Sequence, residues 1–180
     1  MNRDLEQVLD EYLVLLARDG SRPALEQLVG RWSPRLQRHA ARTLGDREAA
    51  RDVVQETWLA ALKGLARLDD PARFPAWLYA IATRKCVDLI RSRGRVRRLD
   101  EGLKAEPSGT PPADADSGLD LTAALARLPA DQRLVASLFY GEDLDLGTIA
   151  AVAGVPVGTV KSRLHHARSA LKSFLQGGPS

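Results

Sequence analysis

One cysteine, Cys86, stands in 180 residues, so no disulfide framework can form, which suits a reducing compartment. Cys86 falls on an apolar helical pattern and reads as a small core residue. Aromatic residues are scarce too, at 5% of the chain against 44% for all hydrophobic residues. The interior must therefore be built from Leu, Ala, Val and Ile, a composition that favours helices over strands. No apolar run is long enough to cross a bilayer, so no membrane insertion is expected. No basic start leads into an apolar stretch, so no secretory leader is expected and a cytoplasmic protein is. Glycine-rich phosphate loops and nucleophile motifs are missing. So are the clustered carboxylates of a metal-dependent nuclease. These gaps argue against an enzyme, and no cofactor or metal is expected.

What is present is charge in blocks. The net charge is only +3, but its distribution is uneven. From Arg73 to Arg98 the bases are Arg73, Arg84, Lys85, Arg91, Arg93, Arg95, Arg97 and Arg98, with Asp88 as the only acid. From Val155 onward come Lys161, Arg163, Arg168 and Lys172, with His165 and His166 and no acid. Between these blocks lie Asp100, Glu101, Glu106, Asp114, Asp116 and Asp120. Two basic patches around an acidic spacer point to two contacts with one polyanion. The plainer alternative is solvated surface.

Periodicity predicts an all-α fold of two small helical domains, residues 1–94 and 119–180, joined by a flexible linker over 95–118. In the first domain, helices are expected near 4–17, from Pro23 to about 44, from Asp46 to about 65, and from 75 to 93. The first has Leu5, Val8, Leu9, Tyr12, Leu13 and Leu16 at helical spacing. The third has an apolar stripe of Val54, Trp58, Ala61, Leu62 and Leu65, with Asp52, Gln55 and Glu56 opposite. In the fourth, Leu78, Ile81, Ala82, Leu89 and Ile90 face the core, and Arg84, Asp88, Arg91 and Arg95 form a second stripe. Asp88 lies one turn from Arg84 and from Arg91 and is expected to orient both. Residues 95–118 have no periodicity and hold Pro107, Gly109, Pro111 and Pro112 among acids and small residues. The second domain predicts helices near 119–127, 130–140, 145–152 and 156–175.

Residues 146–165 have the spacing of a helix-turn-helix. Ala150 is small where a second helix must cross closely, and Gly154 suits the left-handed end of the first helix. Pro156 suits the start of the next. Ile149, Val155, Val160 and Leu164 supply a shared core. The second helix then carries Thr159, Lys161, Ser162, Arg163, His165 and His166 outward, side chains able to reach base edges or phosphates in the major groove. His165 and His166 point about 100° apart on a helix and cannot easily share one metal ion. In the other patch, Phe74, Trp77 and Tyr79 lie beside Arg73, Arg84, Lys85 and Arg91. Aromatics beside cations suit unstacked bases, although Phe74 and Trp77 could equally be core residues.

These segments resemble the extracytoplasmic-function (ECF) sigma factors of the sigma-70 family. Asp52-Val53-Val54-Gln55-Glu56-Thr57-Trp58 is similar to the polymerase-binding stretch of region 2. Phe74 to Ala82, continuing through Asp88-Leu89-Ile90-Arg91, is similar to the stretch that opens and reads the −10 element. Leu128-Pro129 through Leu164 is similar to region 4, which reads the −35 element. The resemblance implies that core RNA polymerase and promoter DNA are the partners, with Asp52, Gln55 and Glu56 on the polymerase. It implies that the loop before Pro75 and the helix after it capture a flipped base, and that the linker threads into the RNA exit path. It also leaves room for an anti-sigma factor that clamps both domains. Two positions depart from the family pattern: Thr148 stands where Glu is usual, and Ile81-Ala82 is followed by Thr83-Arg84 rather than Arg-Asn. The competing reading is an autonomous, dimeric helix-turn-helix regulator.

Overall fold

The computed structural model describes residues 2–100 and 121–175, and both described parts are helical. The first holds α1 (Asn2–Arg18), α2 (Arg22–Leu44), α3 (Arg47–Gly64) and α4 (Phe74–Asp100). Two short 3-10 turns, Leu65–Arg67 and Pro71–Arg73, bridge α3 to α4. The second part holds α5 (Leu121–Ala126), α6 (Ala130–Ala136), a π turn at Ser137–Gly141, α7 (Leu146–Ala153) and α8 (Val157–Leu175).

Local chemistry sets the helix ends. Ser21 accepts from the Ala24 N–H and Pro23 fills the first turn of α2, where its missing donor is not needed. Gly45 closes α2 in the left-handed region at φ 67° and returns its N–H to the Ala41 carbonyl. Asp46 accepts from the Glu48 and Ala49 amides at the head of α3. Pro34 lies within α2 and does not end it. The donor it removes would have served Gly30, which is exposed, so water can take its place.

The main core gathers Leu28, Leu36, Phe74 and Leu78 at no more than 1% exposure. Trp32 meets Phe74 edge-on at 5.7 Å and Tyr79 at 6.0 Å. The Trp58 indole donates to Ser33 Oγ at 2.9 Å. Cys86 packs with Ala40, Ala50 and Val53, and burial pushes its thiol up to about 12. It is a packing residue, not a nucleophile.

The two helical units do not stand apart. Helix α4 packs on α7, and α2 packs on α6 and the π turn. One apolar cluster runs through Leu36 and Leu78 into Leu134, Val135, Leu138, Ile149 and Val152.

Several expectations change. Helix α4 runs through Asp100, so residues 95–100, expected to be linker, are helical. The rest of the expected linker, 101–118, lies outside the described residues. On α1, Leu13 and Val14 are buried, whereas Leu5, Val8, Leu9, Tyr12 and Leu15 are exposed. Four of the six residues of the expected core stripe of α1, Leu5, Val8, Leu9 and Tyr12, thus face out. The helix docks through Leu13 and Val14 and through ion pairs of Arg31 with Asp10 (2.8 Å) and Arg35 with Glu6 (2.9 Å). Leu62 of α3 is 48% exposed and is not a core residue. Asp88 forms no ion pair with Arg84 or Arg91 among the described residues; it lines a cleft between α3 and α4 instead.

His39 on α2 is fully buried, sharing hydrogen bonds with Thr83 (3.1 Å) and Ser137 (3.4 Å). Desolvation, then the nearby Arg42 charge, lowers its pKa to about 3. Unfolded, it titrates near 6.5. As pH falls below that value the unfolded chain gains a proton that the native state refuses, so stability drops with pH across that window. The urea midpoint should therefore fall between about pH 7.5 and about pH 5.5, and the fall should be smaller in His39→Gln. An equal fall in both proteins would show that His39 is not its source.

Candidate nucleic-acid interface

The helix-turn-helix is built as its sequence requires. Asp145 accepts from the Gly147 and Thr148 amides at 2.8 and 3.0 Å, and the Thr148 hydroxyl first, then these amides, hold its carboxyl below the usual carboxylate range. Thr148, where the family pattern has Glu, adds its hydroxyl to the same carboxylate. Gly154 ends α7 at φ 66° and bonds back to the Ala150 carbonyl. Ile149, Ala150, Val160 and Leu164 are buried between α7 and α8.

That packing fixes which face of α8 looks out. Lys161, Ser162, His165 and His166 are exposed. The two histidine rings sit edge to face at 5.7 Å. Thr159 is half-buried at one margin. Arg163 is also half-buried, and its Nε pairs with Asp131 of α6 at 3.2 Å. It is thus tied to the scaffold rather than aimed freely outward. Arg168 is similarly engaged, donating to the Tyr140 hydroxyl at 2.6 Å and lying over the Phe139 ring.

The second patch divides. Arg73, Arg84 and Arg91 are exposed. Trp77 is half-buried, with its ring against Gly64, where a β-carbon would come within 2.9 Å of it. Phe74 is 1% exposed and lies in the core. Its ring is not available to stack on a base, so it leaves the surface set and serves as the floor under Trp77, at 6.1 Å. Lys85 also leaves the group. It turns towards α3 and pairs with Glu56 at 2.9 Å.

Asp52, Gln55 and Glu56 are exposed together on α3. Asp52 and Glu56 line a cleft of about 560 Å³ between α3 and α4, shared with Asp46, Lys85, Asp88 and Arg93. Arg93 pairs with Asp46 at 2.8 Å. Sequence reasoning missed two neighbours on this face, Leu59 and Leu62, which are 54% and 48% exposed. Periodicity places Leu62 in the core stripe and Leu59 in neither face; their position on the acidic side of α3 is the signal that could have found them.

Comparison with known proteins identifies these parts. Residues 28–96 match Sigma-70 region 2, and residues 118–171 match Sigma-70, region 4. The chain belongs to the ECF sigma factors of the sigma-70 family. It is 34% identical over 160 residues to the ECF RNA polymerase sigma factor SigE of Mycolicibacterium smegmatis, covering 85% of this chain and 62% of SigE, just under two thirds. It is 32% identical to SigW of Bacillus subtilis, covering 87% of this chain and 91% of SigW. A solved structure, the sigma factor RpoE of Bartonella quintana in complex with the anti-sigma factor NepR, superposes with a TM-score of 0.71 at 30% identity, over 84% of this chain and 96% of that one. This sigma factor therefore has both family regions, in family order. Its α1 precedes the part that matches region 2.

The Asp145 cap carries the start of α7. Asp145→Ala should cost about 1 kcal/mol and lower the thermal midpoint by a few degrees, followed by circular dichroism. An unchanged midpoint would show that other groups satisfy those amides.

Proposed function

We propose that α8 reads the −35 element in duplex DNA, and that the outer stripe of α4, with the turn before it, engages the −10 element as its strands separate. In the same reading, the face of α3 holding Asp52, Gln55, Glu56, Leu59 and Leu62 docks on core RNA polymerase, in the cytoplasm. One observation carries this reading: α8 presents an acid-free outer face on a helix-turn-helix frame, while Arg84, Arg91 and half-exposed Trp77 stay open on a separate helix. An anti-sigma factor is a further proposed partner, since RpoE, which superposes on this chain, is held by one.

The action is recognition without covalent chemistry. Opening the duplex costs about 1–2 kcal/mol per base step. Stacking a released base on Trp77 offsets part of that, and Arg73, Arg84 and Arg91 hold phosphates. Every phosphate contact makes affinity salt-dependent.

Two measurements test the assignments. Lys161→Ala should weaken binding of polymerase-bound protein to −35 duplex and reduce the salt slope by about 0.9 if it removes one phosphate contact. Arg163→Ala should weaken it as well, whereas Asp131→Asn, which frees Arg163, should not. Undiminished −35 binding by both cation variants would remove α8 as the reader. Trp77→Ala should reduce permanganate reactivity of the −10 thymines more than it reduces closed-complex binding. Equal loss of both would assign Trp77 to the core alone.

A further inference from the structure

Trp77 closes the first turn of α4, and the end of α3 decides how its ring sits. Gly64, the last residue of α3, lies against the six-membered half of the indole. A β-carbon at Gly64 would come within 2.9 Å of Trp77 Cζ2 and 3.7 Å of Cη2. Carbon atoms pack comfortably at about 3.5–4.0 Å, so the indole occupies space that any side chain at Gly64 would claim. From beneath, Phe74 meets the ring at a centroid distance of 6.1 Å and a tilt of 40°, and Phe74 is itself fixed in the core at 1% exposure. Trp77 is thus gripped along one edge and supported below, while the rest of its ring stays half-open.

Backbone geometry does not call for glycine here. Gly64 has φ −101° and ψ −17°, right-handed backbone rather than the left-handed region that favours glycine. Alanine is also the better helix former. What the missing side chain supplies is room, and the indole takes it.

The placement lines Trp77 up with cations. Arg84 and Arg91 follow at intervals of seven residues, so they share its stripe on α4, with steps of roughly 10 Å along the helix. Both are exposed. An aromatic surface followed by cations suits an unpaired strand, the ring for a base and the cations for the phosphates. Such a platform is more effective when the ring is fixed before the base arrives, because ordering a loose side chain offsets the stacking gained.

We infer that Gly64 is a positioning residue for promoter opening: it seats the indole edge against the end of α3 and so holds Trp77 at the angle where a released base stacks on it. The inference rests on the reading of Trp77 given above. A β-carbon at Gly64 meets a ring that cannot sink, since Phe74 lies beneath it. The indole must move outward by roughly 0.5–1 Å to restore normal contact, and it loses its fixed seat.

The test uses the full chain. In the free protein, Gly64→Ala should shift the indole N–H resonance of Trp77, assigned by its loss in Trp77→Phe, and leave those of Trp32 and Trp58 in place. With core polymerase, Gly64→Ala should slow opening of the −10 thymines to permanganate by roughly fivefold, the low end of what one stacked base is worth. Closed-complex binding should weaken far less. Trp77→Phe keeps an aromatic face but lacks the outer ring that reaches Gly64. In that background Gly64→Ala should cause no further slowing, whereas general damage to the α3–α4 region would slow opening again. An unmoved Trp77 resonance, normal opening by Gly64→Ala, or an equal loss in the Trp77→Phe background would each overturn the inference and leave the reading of Trp77 standing. Normal opening by Trp77→Ala would remove that reading, and the positioning role with it, even where the resonance had shifted.

Discussion

Helix α4 has to satisfy three neighbours at once, and the rest of the molecule is arranged around that constraint. At 100° per residue, Phe74, Leu78, Ala82 and Cys86 fall on one side and are buried against α2 and α3. Tyr79 and Thr83 lie next to them and are buried, bonded to Glu142 and His39 at the domain junction. The remaining arc carries Trp77, Arg84, Asp88 and Arg91, each open or half-open. One helix is thus core, domain junction and outer surface together. A change on any face is felt by the other two, because the same backbone sets all three.

This explains which parts of the molecule were legible in the sequence. Helix ends were readable because their chemistry is local: Ser21, Asp46, Gly45 and Gly154 each act within one turn. The helix-turn-helix was readable for the same reason. Faces were less so, since periodicity reveals that apolar residues share a side but not whether anything covers that side. Leu5, Val8 and Tyr12 on α1 and Leu62 on α3 kept the spacing of a core and are exposed. Phe74 failed in the opposite sense, sitting among cations in sequence and in the core in space. The domain junction was invisible. His39 meets Ser137, and Arg42 meets Glu142, across separations of 98 and 100 residues, and no local pattern marks them.

Electrostatics shows the same division. The basic block beginning at Arg73 looked like one patch, but its members serve different ends. Arg84 and Arg91 remain open, while Lys85 and Arg93 are bound to Glu56 and Asp46 across the α3–α4 cleft. Such half-exposed pairs add little stability. They tie α4 to α3 across the cleft and take Lys85 and Arg93 out of the open basic stripe. Two surfaces of opposite sign on adjacent helices suit a protein that must hold a protein partner and a polyanion at the same time.

The central claim is that this chain directs polymerase to promoters through both domains. Run-off transcription with purified core RNA polymerase on fragmented DNA of its own host, with and without the protein, tests it most directly. The account predicts discrete start sites that appear only with the protein, each preceded by two shared elements in the −35 and −10 positions. No new start sites, together with no co-elution with core polymerase, would contradict it.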